Sequence, residues 1–290
     1  MKTLISQIDS SVNFVTNLGP GQALEARYVR RHEDYLACYI SSQTACAQAC
    51  RFCHLTATGQ NKPRNASVDE MLEQANTVLN YYKEHMSKAK HVHYNFMARG
   101  EPLDSTLVSN ATTNQKLLFG LSEKALEFGL KPRILISTIM PTVVANIELE
   151  DMFPVLHPEI YYSLYSLDHS FRRRWLPRAM DPVQALDKLA RWQRFTKKII
   201  RVHHALIAGQ NDSLDHAVDI VNAVRTAGLK TDFTLVRYNP ASPKHGEESP
   251  SYTAYAQILR EQLPGVRVKV IERVGFDVQA SCGMFVNNEE

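Results

Sequence analysis

The chain has 290 residues, 44% hydrophobic and 22% charged, with a formal net charge of +3 from 33 basic and 30 acidic side chains. This composition suits a globular protein with a large core and excludes a disordered or fibrous chain. No apolar run reaches the length of a membrane span, residues 1–20 lack a signal-peptide pattern, and +3 does not by itself imply a nucleic-acid partner. Five cysteines in a chain read as cytoplasmic point to metal or redox chemistry rather than a disulfide framework.

In chain order, residues 1–20 predict a short helix ending at Gly19-Pro20. LEARYVRRHEDYLACYI, over 24–40, predicts two strands around a polar turn at 31–34. Residues 58–64 form a turn-rich connection. Ser67-x-x-Glu70 is a capping box opening a helix with Met71, Leu72, Ala75, Val78 and Leu79 at helical spacing. Strand and helix then alternate. Strands are predicted over 91–97, 133–138, 159–165, 199–207, 231–238 and 266–272. Helices are predicted over 114–128, 143–149, 182–196, 213–227 and 252–263. Repeated βα units with near-continuous apolar strands imply a parallel sheet. About six units predict an α/β fold, a partial (β/α)6 barrel over 37–290, preceded by a short β extension over 1–36.

The densest chemistry lies in SSQTACAQACRFCH, residues 41–54. Cys46, Cys50 and Cys53 are soft ligands that select zinc or an iron–sulfur cluster. Zinc needs four ligands, and His54, directly after Cys53, is a strained fourth. A [4Fe–4S] cluster on three cysteines leaves one iron open to a small molecule. In barrels of this kind the active site gathers at the carboxyl ends of the strands. There the sequence places the cysteine loop, Gly100-Glu101-Pro102, Ser137, the 163–165 segment (Ser163, Leu164, Tyr165) and Asn239-Pro240. Taken singly, the last and Gly100-Glu101-Pro102 also read as ordinary turns.

CxxxCxxC with Phe52 before its last cysteine resembles the cluster loop of radical S-adenosylmethionine (SAM) enzymes. The wider set resembles the RlmN/Cfr-type radical-SAM RNA adenine methyltransferases. It comprises Ser41-Ser42-Gln43, Met97-x-x-Gly100-Glu101-Pro102-Leu103, Ser137-Thr138, Ser163-Leu164, Leu176-Pro177, Tyr238-Asn239-Pro240 and Ala280-Ser281-Cys282-Gly283. The resemblance runs from about residue 24 to 285.

The resemblance implies methylation of an adenine ring carbon, C2 or C8, in ribosomal or transfer RNA, with two SAM per turnover and an electron donor such as flavodoxin or ferredoxin. It implies a [4Fe–4S] cluster on Cys46, Cys50 and Cys53, with SAM held by Gly100, Glu101, Ser137, Ser163, Leu164, Tyr165 and Asn239. Phe52 would lie by the cofactor's adenine; as a lone residue it also reads as core. Cys282 would receive a methyl from one SAM, and a second SAM would generate the radical that makes it add to the base. Cys38 would release the adduct through a transient disulfide, and Glu25 would accept a proton. Read alone, Cys38 can also be a core residue and Glu25 a surface one.

Departures are also visible. Cys38 lies one residue further from Ser41 than the family pattern, which flips its face unless a bulge compensates. Ala98-Arg99 stands where small residues are usual, and Tyr165 where His is common. Only about 20 residues precede the resemblance, so a family accessory RNA-binding domain has no counterpart there. RNA affinity is then expected from the barrel, at Arg172-Arg173-Arg174 with Trp175, Lys197-Lys198 and Arg30-Arg31. The chain is expected to be a monomer away from membranes. Two rival readings are the same chemistry on another substrate and a non-catalytic zinc module that binds nucleic acid.

Overall fold

A computed structural model describes residues 1–85, 88–108 and 110–287. The first 20 residues form strands rather than the expected helix. β1 (Lys2–Ile5) pairs antiparallel with β2 (Val12–Asn17), and β2 with β3 (Ala23–His32). Val12-Asn13-Phe14-Val15-Thr16 is rich in β-branched and aromatic side chains, which fit a pleated surface better than a helix. Gly19 and Gly21, at φ +120° and +67°, turn the chain into β3. β4 (Tyr35–Tyr39) pairs antiparallel with β3, with a register shift between Val29 and His32.

From β4 onward every pairing is parallel: β5 (His91–Phe96), β6 (Lys131–Thr138), β7 (Glu159–Tyr162), β8 (Ile200–Ala205), β9 (Thr231–Val236) and β10 (Val268–Ile271). The helices are α1 (His54–Ala57), α2 (Val68–His85), α3 (Ala111–Glu127), α4 (Leu149–Met152), α5 (His169–Trp175), α6 (Pro182–Thr196), α7 (Leu214–Thr226) and α8 (Tyr252–Gln262). The capping box forms as read: Ser67 N–H donates to Glu70 at 2.8 Å and Glu70 N–H to Ser67 Oγ at 3.1 Å. The helix expected over 143–149 is instead a 3-10 turn at Thr142–Val144 and the single turn of α4. Helix α5, after the fourth parallel strand, had no expectation.

The strands are not continuously apolar. One face carries Leu36, Cys38, Val92, Tyr94, Ile136, Ile160, Tyr162 and Val202, buried in the main hydrophobic core. Each such side chain contributes about 1.5–3 kcal/mol when fully buried. The other face carries Tyr35, Tyr39, His93, Asn95, Arg133, Tyr161, Arg201 and Lys269, all on the wall of one cavity of about 530 Å³. Side chains from β3 through β10 meet in that cavity, so the sheet curls around it. β1 and β10 end the pairing order, and Arg31 on β3 donates to the Glu272 carbonyl beyond β10 at 2.7 Å.

Candidate active site

The loop after β4 is locked to the loop after β5 by Ser41, Ser42 and Gln43. Ser41 Oγ donates to the Glu25 carbonyl at 2.8 Å and accepts from Arg99 N–H at 3.2 Å. Ser42 N–H donates to the Arg99 carbonyl at 2.9 Å. Gln43 accepts from Glu101 N–H at 3.0 Å and donates to the Asp104 carbonyl at 2.7 Å. Gly100 passes so close that a Cβ there would stand 2.6 Å from Gln43 Cβ, and its φ is +96°. Only glycine fits both conditions.

These loops place Cys46, Cys50 and Cys53 around a cavity of about 110 Å³, with Phe52, Gly100, Glu101, Ser137, Ser163, Tyr165 and Cys282 also on its wall. Burial pushes the three cluster-loop thiols up, so a cationic group is needed to hold them as thiolates. A structural zinc takes four protein ligands, and the loop itself brings three cysteines to this cavity. His54 is already engaged, its Nε2 donating to the Asn239 carbonyl at 3.1 Å. The donor set fits a cluster better than zinc.

Glu101 lies opposite, its two oxygens accepting from Leu103 N–H at 3.0 Å and Ile139 N–H at 3.1 Å. Burial pushes its carboxyl up to about 7 despite those bonds. Ser137 Oγ is buried without a partner among the described residues. A buried carboxyl with a raised pKa and a hydroxyl without a partner, both on the wall of one small cavity, fit a cationic ligand with acceptors, as SAM is. Phe52 stacks on Tyr165 at 4.2 Å and 13°. Tyr165 has a φ of +57°, and its carbonyl accepts from His216 Nε2 at 2.9 Å and Asn211 Nδ2 at 3.1 Å.

Leu164 and Asn239 stand off this wall. Leu164 is buried in the main core, and its carbonyl accepts from Arg172 at 2.8 Å. Asn239 donates to the Cys282 carbonyl at 2.9 Å and Ser281 Oγ at 3.1 Å, and accepts from Arg273 at 2.7 Å. Its side chain positions the carboxy-terminal strap that carries Cys282. Gly283, at φ +76°, lets that strap approach Phe52, whose carbonyl lies 3.4 Å from where a Cβ would sit. His54 N–H donates to the Gly283 carbonyl at 2.9 Å. Cys282 therefore faces the cysteine cavity and also the larger interior one. Burial and nearby Cys53 push its thiol up to about 11.

Glu25 is fully buried and bound on both oxygens. Arg99 Nε donates to one at 2.8 Å and Arg27 to the other at 2.7 Å, joined by Val286 N–H at 3.0 Å and Asn13 at 2.9 Å. Arg27 also donates to the Met284 carbonyl at 2.7 Å, and Arg99 to that of Val286 at 2.5 Å. Burial opposes ionisation, yet the two guanidiniums hold the carboxyl below its usual range. Glu25 is thus the anchor of the strap. Asn13, Arg27 and Arg99 were not expected here; the signals were the Glu25-x-Arg27 spacing, which puts both on one strand face, and the unusual Arg99.

Cys38 is not brought to the site. β4 pairs with β5 without a bulge, Cys38 opposite Tyr94 and Tyr39 opposite Asn95. Cys38 is fully buried in the outer core, and Tyr39 is the residue that faces the interior cavity. The one-residue offset flips the side chain as strand geometry requires. The basic run is also split. Arg172 is buried and donates to the carbonyls of Leu164, Ser166 and Met180 at 2.8, 3.1 and 2.9 Å. Trp175 is 2% exposed, with Arg51 and Arg174 over its ring at 5.6 and 5.9 Å. It is no platform for a base.

The sheet is parallel from β4 onward and curled, and the three-cysteine loop follows its first parallel strand. The fold is similar to a radical SAM methyltransferase from Sphaerobacter thermophilus, with a TM-score of 0.79 and 23% identity over 98% of this chain and 80% of that one. It is also similar to HydG, a maturase of the [FeFe]-hydrogenase, at a TM-score of 0.58 and 9% identity over 87% and 55%. No family model matches the chain. By sequence, it is 26% identical to the probable dual-specificity RNA methyltransferase RlmN of Picosynechococcus over 289 residues, 97% of this chain and 76% of that protein. It is 28% identical to the ribosomal RNA large subunit methyltransferase Cfr of Bacillus velezensis over 260 residues, 86% and 68%. The chain is a homologue of the RlmN/Cfr-type radical-SAM RNA methyltransferases.

Proposed function

We propose that this protein methylates an adenine ring carbon, C2 or C8, in RNA, with Cys282 as methyl carrier. The observation that carries the reading is the placement of Cys282, on a clamped strap, in the wall of the cavity that also holds Cys46, Cys50, Cys53 and Glu101. In this reading Cys46, Cys50 and Cys53 hold a [4Fe–4S] cluster, and Glu101, Ser137, Ser163 and the Gly100 backbone hold SAM. The bound cofactors supply the methyl group and the one-electron chemistry, with reducing equivalents from a donor such as flavodoxin or ferredoxin. The chain's own part is orientation and exclusion of water: Asn239, His54 and the Glu25 network fix the strap, and Phe52 with Tyr165 closes one side. Mapping methyladenosine in RNA incubated with the reconstituted enzyme and methyl-labelled SAM tests this. Label on C2 or C8 is the expected result, and RNA free of label overturns the reading.

Glu101 supplies a sharper test. Glu101→Ala should leave iron content intact and weaken SAM by about 1.5–3 kcal/mol, the worth of a charged hydrogen bond. Because the Glu101 acid lies near 7 and only its ionised form attracts an ammonium, wild-type affinity should tighten as pH rises through 7. Glu101→Gln should flatten that profile, as titration of SAM binding against pH would show.

Cys38 faces the outer core, so adduct release does not run through it. Cys38→Ala should turn over at the wild-type rate, with no RNA trapped on Cys282, and lose about 1 kcal/mol of stability from the small void left. RNA covalently retained on the purified variant would restore Cys38 to the mechanism.

The exposed Arg173 and Arg174, not Arg172, are the residues free for phosphate. Replacing both by alanine should flatten the salt dependence of RNA binding by about 0.9 per lost contact. Arg172→Ala should instead lower the melting temperature, because the carbonyls of Leu164, Ser166 and Met180 each lose a guanidinium donor. An unchanged salt slope in the double variant would remove α5 from the RNA path.

A further inference from the structure

We infer that the chamber inside the curled sheet binds a free nucleoside phosphate. Its volume of about 530 Å³ falls within the range of small-ligand pockets, about 300–1,000 Å³. Three features of its wall select the ligand. The first is charge. Arg133, Arg201 and Arg267 share only two carboxylates, Glu159 and Asp232, at 2.6 to 3.5 Å. Lys269 and Arg31 add two cations to the same wall, and neither has a carboxylate partner among the described residues. Arg31's hydrogen bond goes to the Glu272 carbonyl.

The second feature is flat apolar surface. Tyr35 and His93 stack at 4.3 Å and 13°, and Tyr161 lies under Arg201 at 5.5 Å. Aromatic and guanidinium planes of this kind accept a base by stacking. The third is Asn95, 8% exposed, on the chamber wall, whose buried Oδ1 has no partner among the described residues. An amide offers a donor and an acceptor side by side, the pattern that reads a base edge. A bare phosphate would leave Asn95 and the rings idle, and a bare base would leave the cations unpaired. A nucleoside phosphate uses all three, with its base toward Asn95 and its phosphate toward Lys269 and Arg31.

Cys282 lies on the wall of this chamber too, so the inference adjoins the proposed methyl transfer; it concerns binding alone, and its test, which needs neither cluster nor SAM, fails separately from that reading. Calorimetric titration of the full chain with AMP, adenosine and inorganic phosphate tests it. AMP should bind more tightly than either fragment. Lys269→Ala with Arg31→Ala should weaken AMP at least about tenfold, the effect of losing one charged contact, and leave adenosine unchanged. Asn95→Leu should weaken AMP and adenosine but not phosphate. A melting curve confirms that each variant is folded; Lys269 is exposed. AMP binding no tighter than phosphate, or unchanged in the Lys269 and Arg31 double variant, would overturn the assignment.

Discussion

Cys282→Ala is expected to abolish methylation of RNA while iron content, SAM affinity and melting temperature stay at wild-type values. The separation follows from how the strap is held. Its contacts run through backbone carbonyls, those of Cys282, Gly283, Met284 and Val286, which accept from Asn239, His54, Arg27 and Arg99. Alanine keeps every one of them. Among the described residues the Cys282 sulfur makes no hydrogen bond, so its loss removes chemistry and little else. Methylated RNA from this variant at even a tenth of the wild-type rate would show that the methyl travels by another route.

Glu25→Gln should have the largest effect on stability. The substitution leaves Arg27 and Arg99, 3% and 1% exposed, without their shared counter-charge. Breaking a buried ion pair by removing one partner costs about 3–5 kcal/mol. The strap should loosen as well, since Val286 N–H and Asn13 meet the same carboxylate. Faster proteolysis of the carboxy-terminal segment and a lower melting temperature would report this.

The acid limb adds a control. The Glu25 carboxyl is held below its ordinary 4.5. The stability that it contributes is therefore complete above 4.5 and is lost as pH falls toward the lower folded value. That part of the acid-side loss should disappear in Glu25→Gln. A purely catalytic proton acceptor would behave differently: turnover would fall with the melting temperature unchanged, and that result would return Glu25 to the role its family resemblance implies.

What was legible in the sequence was local. The capping box at Ser67 and Glu70, the three-cysteine loop and the order of βα units each depend on residues close in the chain, and each forms. Ser41 to Gln43 could be recognised as a motif, but its work as a clamp on the Gly100 loop is a tertiary fact. The amino-terminal hairpin was missed because its two short strands look unremarkable until β3 completes the sheet. The polar inner face was missed for a related reason. Arg133, Arg201 and Lys269 sit between apolar neighbours, and only the curl of the sheet shows that they converge. Cys38 carried its own warning, since an offset of one residue on a strand reverses the face. Glu25 was expected as a proton acceptor, and its setting as an anchor was not legible, because its four partners come from β2, β3, the loop after β5 and the carboxy-terminal strap.

The account turns on whether Cys282 carries a methyl group. Chain reconstituted with iron and sulfide, reduced, and incubated with methyl-labelled SAM in the absence of RNA can be digested and mapped by mass spectrometry. One labelled methyl on the peptide containing Cys282, none on Cys38, and loss of that label to adenine when RNA is added is the predicted result. A Cys282 peptide that stays unlabelled while labelled methyladenosine accumulates in RNA would contradict it.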